Sequence, residues 1–171
     1  MLSEKGQTLL ELIVVITVIV FVVGALTFAT IASLRNANFA QNQAQATKLA
    51  QEGIELVRAG RDRNSQIDFG TSQTTWRDAA LWEENITTLC GITPCYFILQ
   101  NGTNLLQVGN GDNFNFDFAE QIPPTNPLFQ RAIIISDDSS YAVQKEVTAK
   151  VLWKDASGSH SSRVTTILRK L

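Results

Sequence analysis

The sequence predicts an α+β protein in which one long N-terminal helix packs on an antiparallel β-sheet. Two observations lead to this prediction. The first is the run over residues 12–34, which contains no charged residue and is rich in Ile, Val, Leu and Phe. The second is the later part of the chain, where short apolar–polar alternations are separated by Gly, Asn and Pro residues, as in antiparallel strands. A length of 171 residues accommodates one small domain and a helical extension.

The apolar run is long enough to cross a membrane as one helix, since a hydrocarbon core of about 30 Å needs about 20 apolar residues. A cleaved secretory signal fits poorly, because its apolar core is shorter and is followed by a small-residue cleavage site. Residues 33–36 provide no such site. A single membrane-spanning segment near the N-terminus is therefore predicted, and the residues before it indicate its class.

The residues before the apolar run are unusual for an ordinary membrane anchor. Gly6 stands between a short charged leader and the apolar run, where a protease at the cytoplasmic membrane face could reach it. Glu11 lies about one turn inside the apolar helix, where a lone carboxylate costs at least about 2.5 kcal/mol and therefore needs a partner. The order Lys5, Gly6, Gln7 and then Glu11 resembles the class III leader of type IV prepilins and pseudopilins.

The resemblance implies that a prepilin peptidase cleaves after Gly6 and that Gln7 becomes the new N-terminal residue, which is usually N-methylated. Glu11 would pair with the N-terminal ammonium of a neighbouring subunit. Such a pair favours one axial position of the incoming subunit, because either charge left unpaired in a low-dielectric setting raises the free energy. An N-terminal glutamine can also cyclise, so methylation and cyclisation of Gln7 both remain open. The alternative is a signal-anchored protein whose Glu11 is incidental.

The resemblance also implies a function and a domain organisation. The chain would be a structural subunit, a minor pilin or pseudopilin, of a type IV pilus or a type II secretion-like filament. Its expected segments are a leader over residues 1–6, a transmembrane and filament-core helix over 7–35, an amphipathic continuation over 36–60 and a globular head over 61–171. Two alternatives are a filament-borne adhesin or DNA-uptake pilin, which needs an exposed basic or aromatic patch, and a membrane-anchored enzyme.

The partners that the resemblance implies are other pilin or pseudopilin subunits, the prepilin peptidase, an inner-membrane assembly platform, and membrane lipid before assembly. The chain would cross the cytoplasmic membrane once, with its head outside the cytoplasm, and would then enter a periplasmic or cell-surface filament. A net charge of −2 gives no indication of a nucleic-acid partner.

The helix is predicted to continue beyond the membrane, from Thr8 to about Ala59, because residues 36–59 contain no proline and are rich in Ala and Gln. Gly60 is the expected stop. A coiled coil is the alternative, although fewer than four regular heptads are present. The stripe expected to pack on the head comprises Phe39, Ala46, Leu49, Gly53, Leu56 and Val57. The opposite face carries Gln41, Gln45, Lys48, Gln51 and Glu55.

The head is predicted to begin with a short helix within residues 76–89, followed by strands. Asn101 and Gly102 form a strong hairpin turn signal between two apolar runs, residues 96–99 and 105–108. Further along, phenylalanines alternate with polar residues, as on a strand buried on one face, and three prolines then mark a loop. These residues are Phe114, Phe116 and Phe118, and Pro123, Pro124 and Pro127.

The last part of the chain predicts three further strands, over residues 131–136, 147–154 and 163–168, the last two joined by a turn over 155–159. This closing hairpin, the apolar helix and the run over residues 50–58 together resemble the minor pilins of the PilV-like group. The face of the middle strand that is expected to be buried carries Val147, Ala149, Val151 and Trp153.

Cys90 and Cys95 are the two cysteines of the chain. In a head that lies outside the cytoplasmic membrane, a disulfide closing this small loop is the natural interpretation. Two free buried thiols are the alternative. Two cysteines without a second pair or a nearby histidine make a poor zinc site.

No catalytic, metal or cofactor site is predicted. His160, the single histidine, lies near a Gly/Ser turn and is expected to be a solvated turn residue rather than a general base. Asp137 and Asp138 also indicate a turn. Four residues have the wrong spacing for an EF-hand calcium loop, namely Asp112, Asn113, Asn115 and Asp117. Three arginines indicate a solvated shoulder rather than a nucleic-acid patch, namely Arg58, Arg61 and Arg63.

Overall fold

The computed structural model describes residues 4–70, 73–76, 90–100, 104–111, 118–123, 128–138 and 144–169, with side chains from residue 9 onward. The chain opens with one helix, α1, at Glu4–Asp62 (59 residues). The strands that follow form one sheet. A long N-terminal apolar helix with a β-sheet head confirms the predicted α+β class. The chain divides into two compact units, Met1–Gln41 and Asn42–Leu171.

The first unit contains the N-terminal part of α1, whose large apolar side chains over residues 9–34 are between 45% and 77% exposed. Three threonines interrupt this apolar surface. Thr17 and Thr27 each donate a hydroxyl hydrogen bond to the main-chain oxygen four residues earlier, at 2.8 Å. Thr30 donates to the main-chain oxygen of Thr27 at the same distance. Because these hydroxyls find acceptors within their own helix, they do not need water.

The second unit contains the remainder of α1 and a sheet in which the described residues form eight strands. The strands are β1 Gln66–Asp68, β2 Gln73–Thr75, β3 Cys95–Gln100, β4 Asn104–Asn110, β5 Glu120–Ile122, β6 Phe129–Asp137, β7 Gln144–Asp155 and β8 Gly158–Arg169. Their order is β2-β1-β4-β3-β6-β7-β8, with β5 paired to β6. The pair β1 and β4 is parallel, so the sheet is mixed and not purely antiparallel as predicted. Strands of three residues carry too little periodicity to be recognised from sequence, and the parallel pairing of β1 was therefore missed.

Small residues on α1 allow the helix backbone to approach the sheet closely. Ala46, Ala50 and Gly53 are buried. A Cβ atom on Gly53 would lie 3.2 Å from Cδ of Arg131 and from Cδ1 of Ile133, both on β6. The core that these contacts enclose also includes Ile54, Val57, Phe97, Leu99, Ile135, Val147, Ala149, Val151 and Trp153.

The predicted helix stripe is right in part. Phe39 is 41% exposed and is not buried, whereas Ala50 and Ile54 are buried and were not predicted. The residues of α1 that face the strands are buried whatever their size, so a small alanine is buried there as well as a large apolar residue. The five polar residues predicted on the opposite face are all exposed. The predicted members that are buried or half-buried are Ala46, Leu49, Gly53, Leu56 and Val57.

The helix ends at Asp62, and the predicted stop at Gly60 is wrong. Asn64 adopts a left-handed conformation with φ of 58°. The Ser65 N–H donates to the Gly60 carbonyl at 2.8 Å, and the Asn64 N–H donates to the Arg61 carbonyl at 3.1 Å. These two bonds form a Schellman cap. Asparagine therefore takes the left-handed position, and Gly60 lies buried within the helix.

Most of the predicted strands are present. β3 and β4 pair antiparallel, as the hairpin signal predicts, although residues 101–103 lie outside the described part of the chain. β6, β7 and β8 contain the three predicted C-terminal strands, and the predicted face of β7 is buried. The prediction that Phe118 lies on a strand with its side chain buried is wrong, because Phe118 is 61% exposed and precedes β5. Alternation alone was misleading there, because a strand also needs a neighbour with which to pair.

Several predicted features fall outside the described residues. They are residues 77–89 of the short helix predicted over 76–89, the phenylalanines at 114 and 116, the prolines at 124 and 127, and the four residues with a possible calcium role, Asp112, Asn113, Asn115 and Asp117.

Candidate functional site

The three residues that the sequence predicts for processing and assembly lie near the start of α1. Gly6 and Gln7 fall within its first helical residues, where the backbone alone is described. Glu11 is exposed, and none of the described side chains forms an ion pair with it. Its neighbours Leu10 and Leu12 are 65% and 61% exposed. The carboxylate of Glu11 therefore stands beside an open apolar surface.

The apolar part of α1 is the one stretch among the described residues with the length and composition to cross a membrane, and it lies near the N-terminus. Its most apolar window is not buried inside the molecule at all. Soluble monomers rarely expose a contiguous apolar surface of this size. The surface is long and apolar enough to be covered by lipid or by the apolar surface of other chains.

The position of Glu11 beside this surface defines what its carboxylate can do. In lipid, or among packed apolar helices, an uncompensated carboxylate carries a large desolvation penalty. A cation that reaches Glu11 removes most of that penalty, and the attraction depends steeply on distance when the dielectric constant is low. The residue is therefore suited to holding a cationic group of another molecule at a defined position along the helix.

Cys90 and Cys95 form a disulfide bond, and their Cα atoms are 5.0 Å apart. Both residues are fully buried. The loop that they close is anchored to the ends of β6 and β7. The N–H of Asp137 donates to the Gly91 carbonyl at 3.1 Å, and Nζ of Lys145 donates to the Cys90 carbonyl at 3.4 Å. The disulfide loop is thus part of the packed head.

Lys145 is a buried charge that the sequence-based prediction missed. Its side chain is fully buried and forms an ion pair with Asp137. The predicted turn at Asp137 is wrong, because this residue ends β6 directly opposite Lys145, and only Asp138 follows the strand. A signal was present in the sequence. Lys145 continues the alternation of Val147 and therefore lies in phase with the buried face of β7.

Arg131 is a second buried cation, and it joins three elements. Its Nε and Nη2 atoms donate to the two carboxylate oxygens of Glu120 on β5, at 2.8 and 2.9 Å. Its Nη1 atom donates to the main-chain oxygen of Leu49 in α1 at 3.1 Å and lies 3.9 Å from Glu52. A bidentate guanidinium–carboxylate pair fixes direction as well as distance. Arg131 therefore secures the helix against the sheet, in phase with the buried Ile133.

The end of the β7–β8 hairpin brings a histidine, a serine and an aspartate together. Nε2 of His160 lies 3.0 Å from Asp155 Oδ1 and 3.0 Å from Ser157 Oγ, and its ring centroid is 5.4 Å from that of Trp153. The prediction of a solvated turn residue is wrong, because His160 is half-buried on β8. Serine and aspartate contact the same ring nitrogen, whereas a nucleophile relay needs one partner on each nitrogen. The hydrogen bonds of this cluster therefore stabilise the turn between β7 and β8.

The same cluster changes the acidity of Asp155. The Ser157 hydroxyl, which donates to Oδ1 of Asp155 at 2.5 Å, is the main reason that the pKa of Asp155 falls from 3.8 to about 2. Hydrogen bonds from His160 and from the Ser157 main chain act in the same direction.

Within the described residues, no group of three or more His, Cys, Asp and Glu side chains is placed to hold a metal ion.

Two of the three arginines near the end of α1 contact β8. Arg58 pairs with Glu55 at 2.6 Å and donates to the hydroxyl of Thr166 at 2.7 Å. Arg61 pairs with the neighbouring aspartate at 3.0 Å and donates to the main-chain oxygen of Arg169 at 3.1 Å. These arginines tie α1 to the sheet, so the predicted solvated shoulder is only partly solvated.

No protein-family model, no curated protein and no solved structure matches this chain. Its class is therefore defined by architecture. A long N-terminal apolar helix, a β-sheet head and a disulfide are together consistent with a pilin-like fold.

Proposed function

We propose that this chain is a structural subunit, a minor pilin or pseudopilin, of a type IV pilus or a type II secretion-like filament. One observation carries the proposal: near the start of α1, Gly6, Gln7 and Glu11 precede a long exposed apolar surface that has no charged residue over positions 12–34. Membrane lipid covers that surface before assembly, and neighbouring helices cover it in the filament. A plain membrane anchor has no comparable use for the carboxylate.

In this proposal a prepilin peptidase cleaves between Gly6 and Gln7 at the cytoplasmic membrane face. The new ammonium group on Gln7, methylated or not, reaches Glu11 of a neighbouring subunit. Opposite charges attract strongly at low dielectric, and each is penalised when alone, so an incoming subunit is held at one axial position. A cyclised Gln7 lacks the amine and would leave Glu11 without this partner.

The proposal places the head outside the cytoplasm, where a disulfide such as Cys90–Cys95 persists. The subunit begins as a single-pass protein of the cytoplasmic membrane. It is then transferred by an inner-membrane assembly platform into a periplasmic or cell-surface filament composed of other pilin or pseudopilin subunits.

The filament role is tested with the substitution Glu11→Gln in cells that carry a prepilin peptidase and a filament machinery. We expect the unsubstituted chain in the sheared or pelleted filament fraction and the variant in the membrane fraction, because the amide cannot compensate an ammonium charge. Glu146→Gln, an exposed carboxylate on β7, is the matched control and should assemble normally. Equal assembly of both variants, or absence of the unsubstituted chain from filaments, would contradict the proposal.

A further inference from the structure

The two ends of the sheet differ in a way that points to a binding surface. One end is β2, a strand of 3 residues. The other is β8, a strand of 12 residues, Gly158–Arg169, which pairs with β7 on one side. Among the described residues, no strand pairs with the other side of β8, which we call the β8 edge. Short edge strands are a common protection against unwanted pairing, and β8 lacks this protection.

The β8 edge also lacks two other usual devices that block strand addition, a bulge and a proline. Its ladder with β7 runs from Asp155↔Gly158 to Gln144↔Arg169 without a bulge. The strand contains no proline, and its central run over residues 164–167 is Val-Thr-Thr-Ile, which favours extended backbone. A long, regular edge of this kind is a template for an additional strand.

Helix α1 holds β8 in place from the core side. Thr47 and Ser162 share a hydrogen bond between their hydroxyls at 2.9 Å, and Arg58 donates to the Thr166 hydroxyl at 2.7 Å. Leu168 is 2% exposed. The edge is therefore preorganised, and a partner would not have to order it on binding. The opposite face is exposed at Ser159, Ser161, Arg163, Thr165, Ile167 and Arg169.

The charges on this exposed face indicate the chemistry of the partner. β8 contains no acidic residue. Neither Arg163 nor Arg169 forms a side-chain ion pair with a described residue, and Lys150 lies directly opposite Arg163 on β7. A second copy of β8 would offer these arginines no carboxylate, because the strand contains no acidic residue. A strand with carboxylates at alternate positions would meet these cations instead.

We propose that the β8 edge binds an extended, carboxylate-bearing segment of a partner protein by strand addition. The main chain of β8 would supply the hydrogen bonds, and Arg163 and Arg169 would select acidic side chains on the exposed face. This inference does not rest on the filament role, because it uses only the residues of the second unit.

A synthetic peptide of alternating Glu and Val residues is the probe for the full-length chain in detergent micelles. Amide hydrogen exchange of β8 and fluorescence anisotropy of a labelled peptide are measured together. We expect the peptide to slow exchange at the alternate amides of residues 158–169 that point away from β7. Two control peptides should bind weakly or not at all: one with Lys in place of Glu, and one with every main-chain amide N-methylated, which has no main-chain donor left on either edge.

The double substitution Arg163→Glu and Arg169→Glu should weaken binding by at least about tenfold, because both charge contacts become repulsive. Lys48→Glu, at an exposed position on α1, is the matched control and should leave binding unchanged. An unchanged thermal unfolding midpoint verifies that each variant is folded.

Three results would overturn the proposal. The first is absence of β8 protection by the Glu–Val peptide. The second is equal binding of the lysine or N-methylated peptide. The third is slow amide exchange on the β8 edge without peptide. Slow exchange that is independent of protein concentration would show that the chain's own residues cover the edge. Slow exchange that increases with protein concentration would show that a second copy covers it.

Discussion

Single residues in the head show how a buried charge is tolerated. Lys145 and Arg131 lie on the core faces of β7 and β6 with 0% and 3% of their surface exposed. Lys145 is compensated by the partly exposed carboxylate of Asp137, and Arg131 by that of Glu120 and, at 3.9 Å, by that of Glu52. Removal of the partner of a buried charge is more damaging than replacement of both groups, because a lone buried charge keeps its full desolvation penalty.

Asp137→Ala should therefore lower the free energy of unfolding of the head by about 3–5 kcal/mol. The double variant Asp137→Ala with Lys145→Met should recover most of that loss, because it removes the charge as well as its partner. Urea unfolding of the full chain in micelles, followed by tryptophan fluorescence, measures both. Glu146→Ala on the exposed face is the control, with an expected loss below about 0.5 kcal/mol. Equal losses for the two alanine variants would contradict the role of the pair.

Asp155 makes the stability of the hairpin end depend on pH. Its pKa is lowered to about 2 from 3.8, so its contribution to stability is fully present above pH 3.8 and is lost as the pH falls through about 2. NMR titration of its carboxyl carbon should give this value. Ser157→Ala should raise the pKa toward 3.8, because it removes the hydroxyl that donates to the carboxylate. An unchanged titration in the variant would show that the hydroxyl is not the cause.

The buried cations were within reach of the sequence, but their partners were not. Arg131 is in phase with Ile133, and Lys145 is in phase with Val147, so alternation places both on the core face. Which carboxylate compensates each depends on the register of β5, β6 and β7, and single-sequence patterns do not determine register between strands. The partner of His160 could not be predicted for the same reason, because the register of the β7–β8 hairpin brings Asp155 to it.

At the scale of elements, the contact between α1 and the sheet depends on small side chains. Gly53 lies against Arg131 and Ile133, and Ala46 and Ala50 lie on the same face. The guanidinium of Arg131 cannot retreat easily, since Glu120 holds it with two hydrogen bonds. The helix therefore has little room for an additional methyl group at this point.

Gly53→Ala should destabilise the head although alanine is the better helix former. The new Cβ would lie 3.2 Å from Arg131 Cδ and Ile133 Cδ1. Overpacking costs about 1–3 kcal/mol, against a gain of about 1 kcal/mol from helix propensity. Gly24→Ala is the control, because nothing lies within 4 Å of its added Cβ. Urea unfolding that shows Gly53→Ala to be more stable than the parent would contradict the close approach.

The disulfide loop is a second element with a measurable contribution. Replacement of Cys90 and Cys95 by alanine should lower the free energy of unfolding by about 2 kcal/mol, the chain-entropy value for so short a loop. The loop should keep its place, because Lys145 and the N–H of Asp137 still hold its carbonyls. Urea unfolding of the full chain in micelles measures the loss, and collapse of the fold in the double variant would contradict the second point.

Long and strongly periodic elements were predictable, and short ones were not. α1, β7 and β8 carry enough residues for their periodicity to be recognised. β1, β2 and β5 have 3 residues each, so their pairing comes from the tertiary structure. The end of α1 was misplaced because Gly60 was the expected stop, whereas Asn64 provides the left-handed residue.

At the scale of the whole molecule, an apolar helix that is exposed along one unit accompanies a head with its own packed core. The head satisfies its buried charges internally, whereas the first unit leaves Glu11 and its apolar surface to other molecules. This asymmetry is the physical basis for the proposed filament role. The order of residues at 6, 7 and 11 suggested it from the sequence, and composition alone would not have separated it from a plain anchor.

The measurement that tests the proposed role most directly is the intact mass and N-terminal sequence of the chain purified from membranes, with and without the prepilin peptidase. We expect a chain that begins at Gln7 when the peptidase is present, with or without a methyl group, and an uncleaved chain when the peptidase is absent. A chain that retains residues 1–6 in both strains would contradict processing at Gly6 and would leave a signal-anchored protein.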